Sequence, residues 1–223
     1  MEKLFQQIYI ERVVQDTLRL VKIPNTAGHT VDVAELYGRM LKEVGLEVQT
    51  YEWIPNNPTI VAEFKGNPSK GKTLIFNGHL DVIPLEHNPP TVHAGKIFGR
   101  GTCDMKGALA CILEALRIFK LSRAEVDGNV IIIANSMHES PGGRGEDLTA
   151  LADELKLQAD AAVVMEGATY DCTVAQLGSA TFNITIEREG DPTHQLFTPK
   201  NTPHPVTVAA DIIHVLNGAN EEL

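Results

Sequence analysis

Val130-Ile131-Ile132-Ile133-Ala134 is an apolar run with no alternation. A strand with one face in water alternates apolar and polar residues, whereas a strand apolar at every position is covered on both faces, as in largely parallel sheets packed between helices. Ala161-Ala162-Val163-Val164-Met165 reads the same way, and the 73–76 run leading to Asn77 is a further short β-rich segment. Outward from these, residues 47–51 and 59–64 are β-rich. Leu109, Ile112, Leu113, Leu116 and Phe119 recur at helical spacing. At the amino end Leu4, Ile8, Val14, Leu18 and Val21 mark a first helix, and Val33, Leu36, Met40 and Val44 a second, with Gly45 as its left-handed cap. Strands alternating with helices predict a layered α/β fold: a mixed, largely parallel central sheet with flanking helices.

The pattern changes after residue 170. From 180 to 187, Phe182, Ile184 and Ile186 alternate with Asn183, Thr185 and Glu187, which predicts a strand with one open face. A Pro-rich stretch, 192–203, leads to a helix with Pro205 in its first turn, Ala209, Ile212, Ile213 and Leu216 on one face, and Asn217-Gly218 as its stop. One strand and one helix are too few to stand alone, so this second unit reads as cut short. The expected division is 1–175 for the first domain and 176–223 for the incomplete second.

Composition narrows the function. With 223 residues, 43% hydrophobic and 22% charged, the chain is an ordinary globular protein able to bury a core. Nineteen basic against 29 acidic residues give a net charge of −10, which disfavours nucleic acid and anionic membranes as partners. No apolar run is long enough to span a bilayer. Three cysteines, Cys103, Cys111 and Cys172, show no metal-knuckle spacing, and the amino terminus shows no signal segment, so the expected compartment is the cytoplasm.

Two motifs are rejected on context. Gly66-Asn67-Pro68-Ser69-Lys70-Gly71-Lys72-Thr73 fits a phosphate loop, but Thr73 leads into a strand and not into the helix N-terminus that such a loop needs, so a polar hairpin connection is the better reading. Gly143-Arg144-Gly145 has Leu148 where a dinucleotide fingerprint needs its third glycine. Cys103 at a helix start is disfavoured as a nucleophile because Asp104 opposes thiolate formation. His29, His87, His93, His204 and His214 have no partner pattern and read as surface or loop residues.

The chemistry lies where strands end, the usual place for sites in α/β sheets. Asn77-Gly78-His79-Leu80-Asp81 closes the 73–76 strand: His79 is a candidate metal ligand and Asp81 a carboxylate suited to orient its ring. Gly99-Arg100-Gly101-Thr102-Cys103-Asp104-Met105-Lys106-Gly107 puts Asp104 at the mouth of a helix, where alone it would read as an N-cap. His138-Glu139 follows the Val130 strand and Glu166-Gly167 the Ala161 strand. One imidazole and three carboxylates, His79, Asp104, Glu139 and Glu166, delivered by four strand ends, are the ligand types of a two-zinc or zinc-like hydrolytic site.

With these residues in view, the chain resembles metallopeptidase family 20, the family of aminoacylases, acetylornithine deacetylase, succinyl-diaminopimelate desuccinylase, glutamate carboxypeptidases and carnosine-type dipeptidases. His79-Leu80-Asp81-Val82-Ile83-Pro84 is similar to the first family signature and 99–107 to the second. The resemblance implies a zinc-exopeptidase-like fold carrying two divalent ions, zinc first, with cobalt or manganese as alternatives. It also implies that His79, Asp104 and Glu166 hold one ion, that Asp104 bridges to a second held by Glu139, and that Asp81 orients His79. It implies an N-acyl amino acid or short peptide as substrate, and a small α+β lid, often a dimerisation domain, whose start would be 176–223. Homodimerisation through the lid would follow, with His194 matching the lid histidine that polarises the substrate carbonyl. Where the family carries a glutamate that takes a proton from the attacking water, this chain has His138. Family chains also continue further, to a final histidine ligand. The expectation is thus an amide-bond hydrolase, with a truncated, inactive metal- or ligand-binding relative as the alternative.

Overall fold

The computed structural model describes residues 2–121, 127–139, 141–167, 182–188 and 197–219. By internal contacts the chain divides into one unit of residues 1–170 and a second of 171–223. The first contains helices α1 (Glu2–Phe5), α2 (Ile10–Val21), α3 (Val31–Val44), α4 (Gly107–Leu121) and α5 (Glu146–Leu155). Its strands are β1 (Glu47–Ile54), β2 (Asn57–Lys65), β3 (Asn67–His79), β4 (Thr91–His93), β5 (Lys96–Phe98), β6 (Asp127–Asn135) and β7 (Ala161–Val164).

The main sheet has the order β1-β2-β6-β3-β7, with β6/β3 and β3/β7 parallel and β1/β2 and β2/β6 antiparallel. The sheet is mixed, as expected, with its parallel half on the side where the candidate residues lie. β6 is covered on both faces. Ile132 and Ala134 join Leu20, Tyr37, Leu41, Leu109 and Leu113 of α2, α3 and α4, while Ile131 and Ile133 meet Leu151 of α5 on the other side. Burying a side chain such as Ile132, which is 0% exposed, contributes about 2 kcal/mol, so the apolar run is what holds the three layers together.

β7 differs from expectation. Its residues are exposed, Val164 by 59%, because it is the edge strand and only β3 pairs with it among the described residues. The first helix is also not continuous: α1 ends at Phe5 and α2 starts at Ile10 after an extended Tyr9. Gly45 does cap α3 in the left-handed region, φ 88°, its N–H donating to Leu41 and Lys42 carbonyls. The 66–73 stretch enters strand β3 with no helix after it, which removes the phosphate-loop reading. It is not a hairpin connection either, since β6 lies between β2 and β3. β4 and β5 form a separate hairpin turned by Ala94 and Gly95, both at positive φ.

In the second unit, α6 (Pro205–Ala219) forms from the expected Pro205 onward and runs through Gly218. Residues 182–188 show no strand pairing, and Phe182 is 81% exposed. A period-two pattern becomes a strand only with a neighbour to share its hydrogen bonds, and none is present among the described residues.

Candidate active site

Three parallel strands end side by side. In β3 and β6 His79 is in register with Asn135, and in β3 and β7 Asn77 is in register with Val164, so residues following 79, 135 and 164 emerge at one edge of the sheet. His79 closes β3, Glu139 follows β6 and Glu166 follows β7. Asp104 corrects the expectation of four strand ends. It lies in the irregular turn Thr102–Lys106 that opens α4, after a hairpin strand outside the main sheet, and its side chain faces His79. The peptide bond between Asp104 and Met105 is cis.

The turn is seated against β3 at Gly78. A Cβ at Gly78 would come within 2.4 Å of Met105 Cε and 2.9 Å of Leu109 Cδ2, so the side chains of the helix mouth pack directly on the strand end there. The segment after β3 is strapped down as well. Leu80 N–H donates to Asn135 O at 2.7 Å, Val82 N–H donates to Asn25 O at 3.0 Å, and Asn25 Nδ2 donates to Leu80 O.

His79 is 1% exposed. Its Nδ1 faces the Asp81 backbone carbonyl at 3.0 Å and the Asp81 Oδ1 at 3.4 Å, and its Nε2 faces Asp104 Oδ1 at 2.8 Å. Burial opposes charging of the imidazole, but the Asp81 and Asp104 carboxylates outweigh it and raise its pKa above the ordinary value. The Asp81 carboxylate is fully buried, and its Oδ2 accepts the N–H groups of His138 at 3.0 Å and Glu139 at 2.7 Å. One side chain therefore touches the His79 ring and ties down the loop bearing the next two candidates.

His138 stacks on His79, ring centroids 4.3 Å apart and planes 13° from parallel, and its Nε2 lies 3.1 Å from Glu166 Oε2. Two groups of possible ligand atoms result, each within 4.8 Å and sharing His79: His79 with Asp104 and Glu139, and His79 with His138 and Glu166. The four expected ligands thus come together around one imidazole, with Glu166 drawn to His138 and not to Asp104. Burial, followed by the nearby Asp104 carboxylate, raises the Glu139 pKa. Carboxylates gathered beside an imidazole form a donor set whose mutual repulsion a cation relieves.

Behind the 136–139 loop lies Asp147, fully buried in the first turn of α5. Its Oδ2 accepts Ser136 N–H at 2.6 Å and Thr59 Oγ1–H at 2.9 Å, and burial raises its pKa. Lys106 is buried too, and burial pulls its ammonium down to about 8 against the raising influence of Asp81, Asp104 and Glu139. Neither residue was singled out by sequence reasoning. For Lys106 the available signal was a lysine inside a glycine-rich turn next to a candidate ligand. For Asp147 there was none, since an acid in a helix's first turn is the ordinary surface choice.

His194 falls outside the described residues. His29, His87, His93, His204 and His214 are all exposed, as expected, and Cys103 and Cys111 are free thiols. No described helix is long and apolar enough to cross a membrane.

Comparison with known proteins converges on one family. Residues 75–220 match the model of peptidase family M20/M25/M40. The N-formyl-4-amino-5-aminomethyl-2-methylpyrimidine deformylase of Halalkalibacterium halodurans is 32% identical over 171 residues, 72% of this chain and 39% of that protein. The succinyl-diaminopimelate desuccinylase of Buchnera aphidicola subsp. Baizongia pistaciae is 31% identical over 136 residues, 57% of this chain and 35% of that protein. Human carnosine dipeptidase 1 superposes with a TM-score of 0.60 at 25% identity, over 73% of this chain and 40% of its own. The chain thus spans between a third and two fifths of the length of these relatives. With the family model covering well over half of its residues, the chain belongs to peptidase family M20/M25/M40.

Proposed function

We propose that this chain carries the first part of the active site of a metal-dependent hydrolase of amide bonds, with an N-acyl amino acid or short peptide as substrate. The observation that supports this reading most is that Asp104, Glu139 and Glu166 gather with His138 around the His79 imidazole, at the edge where three parallel strands end. Nitrogen and carboxylate donors of this kind suit zinc, with cobalt and manganese as alternatives. The relatives named as a deformylase, a desuccinylase and a dipeptidase all carry names of amide-cleaving enzymes, which is the basis for the substrate class.

In this reading His79, Asp104, Glu139 and Glu166 hold two ions, which when bound supply Lewis acidity toward a carbonyl oxygen and toward a water. The chain's own residues do the rest. The Asp81 carbonyl keeps the His79 proton on Nδ1 and so leaves Nε2 as the ligating atom. Asp81 Oδ2 fixes the backbone of His138 and Glu139, so both side chains leave the loop at set positions. His138, half-exposed, takes the proton of the attacking water, and Glu166 beside its Nε2 steadies the resulting imidazolium. We also assign 1–175 to the catalytic domain and 176–223 to a lid and dimerisation domain in which His194 serves the substrate carbonyl, and we place the protein in the cytoplasm.

The test is metal retention after dialysis, by elemental analysis, together with hydrolysis of N-formyl, N-succinyl and dipeptide substrates. Expected are about two ions per chain, loss of at least one in Asp104→Ala, and a more than tenfold fall in any turnover in His138→Ala. A wild-type chain that keeps no zinc, cobalt or manganese would overturn the reading.

A further inference from the structure

Asp147, in the first turn of α5, is 0% exposed, although an acid at that place in a helix ordinarily faces water. Its hydrogen bonds join three segments of the chain. Oδ2 accepts the Ser136 N–H, just after β6, at 2.6 Å and the Thr59 hydroxyl of β2 at 2.9 Å, and Oδ1 accepts the Leu148 N–H at 3.0 Å. These donors are all neutral, and a carboxylate shut in with neutral donors is a costly way merely to fill space. The Ser136 hydroxyl donates to Pro58 O at 2.6 Å, a second tie to the start of β2. Beyond Ser136 the backbone is held at every residue up to Glu139. Met137 O accepts the N–H of Gly145, which precedes α5, at 2.6 Å. The His138 and Glu139 N–H groups go to Asp81, and Glu139 O accepts the Gly143 N–H at 2.8 Å.

We propose that Asp147 is a positioning residue: by anchoring Ser136 to α5 and β2 it sets where the 136–139 loop leaves the sheet, and so where His138 and Glu139 are presented. Asp81 fixes the far end of the loop and Asp147 the near end, so two buried carboxylates bracket the span that carries both candidates. The part that concerns metal rests on the hydrolase reading above; the part that concerns the loop does not. Asparagine at this place keeps the size of the side chain but turns one acceptor oxygen into an N–H₂ group facing other donors, so it loosens the anchor without opening a cavity.

The experiment compares wild type, Asp147→Asn and Leu151→Ala, each as the full chain. Leu151→Ala loosens the packing of α5 on Ile131 and Ile133 and removes no hydrogen bond from the loop. In chelator, residue-resolved amide exchange is followed at His138 and Glu139, which Asp147 does not bond, relative to the amides of β6. In Asp147→Asn that ratio is expected to rise about tenfold, and in Leu151→Ala to stay near the wild-type value, because general destabilisation speeds all of these amides together. An unchanged ratio in Asp147→Asn, or an equal rise in Leu151→Ala, overturns the proposal. Should Asp147→Asn fail to fold, Thr59→Val takes its place: it frees the same oxygen from β2, a rise of about threefold is expected, and no rise overturns the proposal. With Mn²⁺ alone, followed by electron paramagnetic resonance, Asp147→Asn is expected to bind at least about fivefold more weakly than wild type, and Leu151→Ala within about twofold of it. Wild-type affinity in Asp147→Asn overturns the part that concerns metal. If wild type itself binds no Mn²⁺, the metal reading falls with that part, and amide exchange still decides whether Asp147 positions the loop.

Discussion

The Asp81 carboxylate is buried, and its Oδ2 takes the amide hydrogens of His138 and Glu139, so shortening it to a methyl leaves both donors without their acceptor. Asp81→Ala is expected to cost about 2–4 kcal/mol of stability in urea unfolding. Gly143 is a second residue on which the loop depends. A Cβ there would lie 2.3 Å from the Met137 carbonyl carbon, and backbone cannot yield as a flexible side-chain end can. Gly143→Ala is expected to destabilise the protein by about 2–3 kcal/mol and to lower metal retention by displacing His138 and Glu139; unchanged urea midpoint and metal content would contradict it. At this scale the candidate ligands were legible because histidine and acid at strand ends are unusual company. The Asp81 anchor was not, since it joins residues 57 and 58 positions apart, and no local pattern encodes that contact.

Elements show how tertiary contacts override periodicity. The apolar spacing from Leu4 to Val21 reads as one helix, yet the Tyr9 N–H donates to Glu114 Oε1 of α4 at 2.9 Å, and Arg12 binds the same carboxylate at 2.6 and 2.9 Å. Glu114 is 2% exposed. Burial raises its pKa, but the Arg12 and Tyr9 hydrogen bonds and the charges of Arg12 and Arg117 outweigh this and hold it below the ordinary value. A carboxyl lowered in the folded state contributes stability above its unfolded pKa, near 4.3, and loses it as pH falls through the folded value. Glu114→Gln is accordingly expected to cost about 1–3 kcal/mol near neutral pH, Arg12 being partly in water, with the gap to wild type narrowing below about pH 4. Urea midpoints across that range check it; a gap that does not change with pH would contradict the assignment. The covered strand β6 was legible because both its faces are apolar. β7 has the same composition but sits at the edge, and strand order is not written in composition.

For the molecule as a whole, both apolar clusters draw their residues from positions 20 to 165, inside the unit of residues 1–170. Residues 1–170 alone are therefore expected to unfold cooperatively, with a urea midpoint close to that of the full chain, because both clusters are built from residues inside this unit. A midpoint well below, or a broad transition, would show that the two units share their stability. The described part of the second unit is largely exposed, with Phe182, Val206 and Val215 each at 69% or more.

What could be read along the chain is what local chemistry encodes: apolar period, glycine at a helix stop, and histidine and carboxylates where strands run out. These sufficed for the α/β class, the layered core, the strand ends carrying His79, Glu139 and Glu166, and the family. Folding alone revealed which strand lies at the edge, that Asp104 arrives from a helix mouth, that Glu166 pairs with His138, and that Lys106 and Asp81 are both buried. Each of those depends on contacts between residues far apart in sequence, whose energies come from burial and charge at a distance and leave no mark on either residue's neighbours.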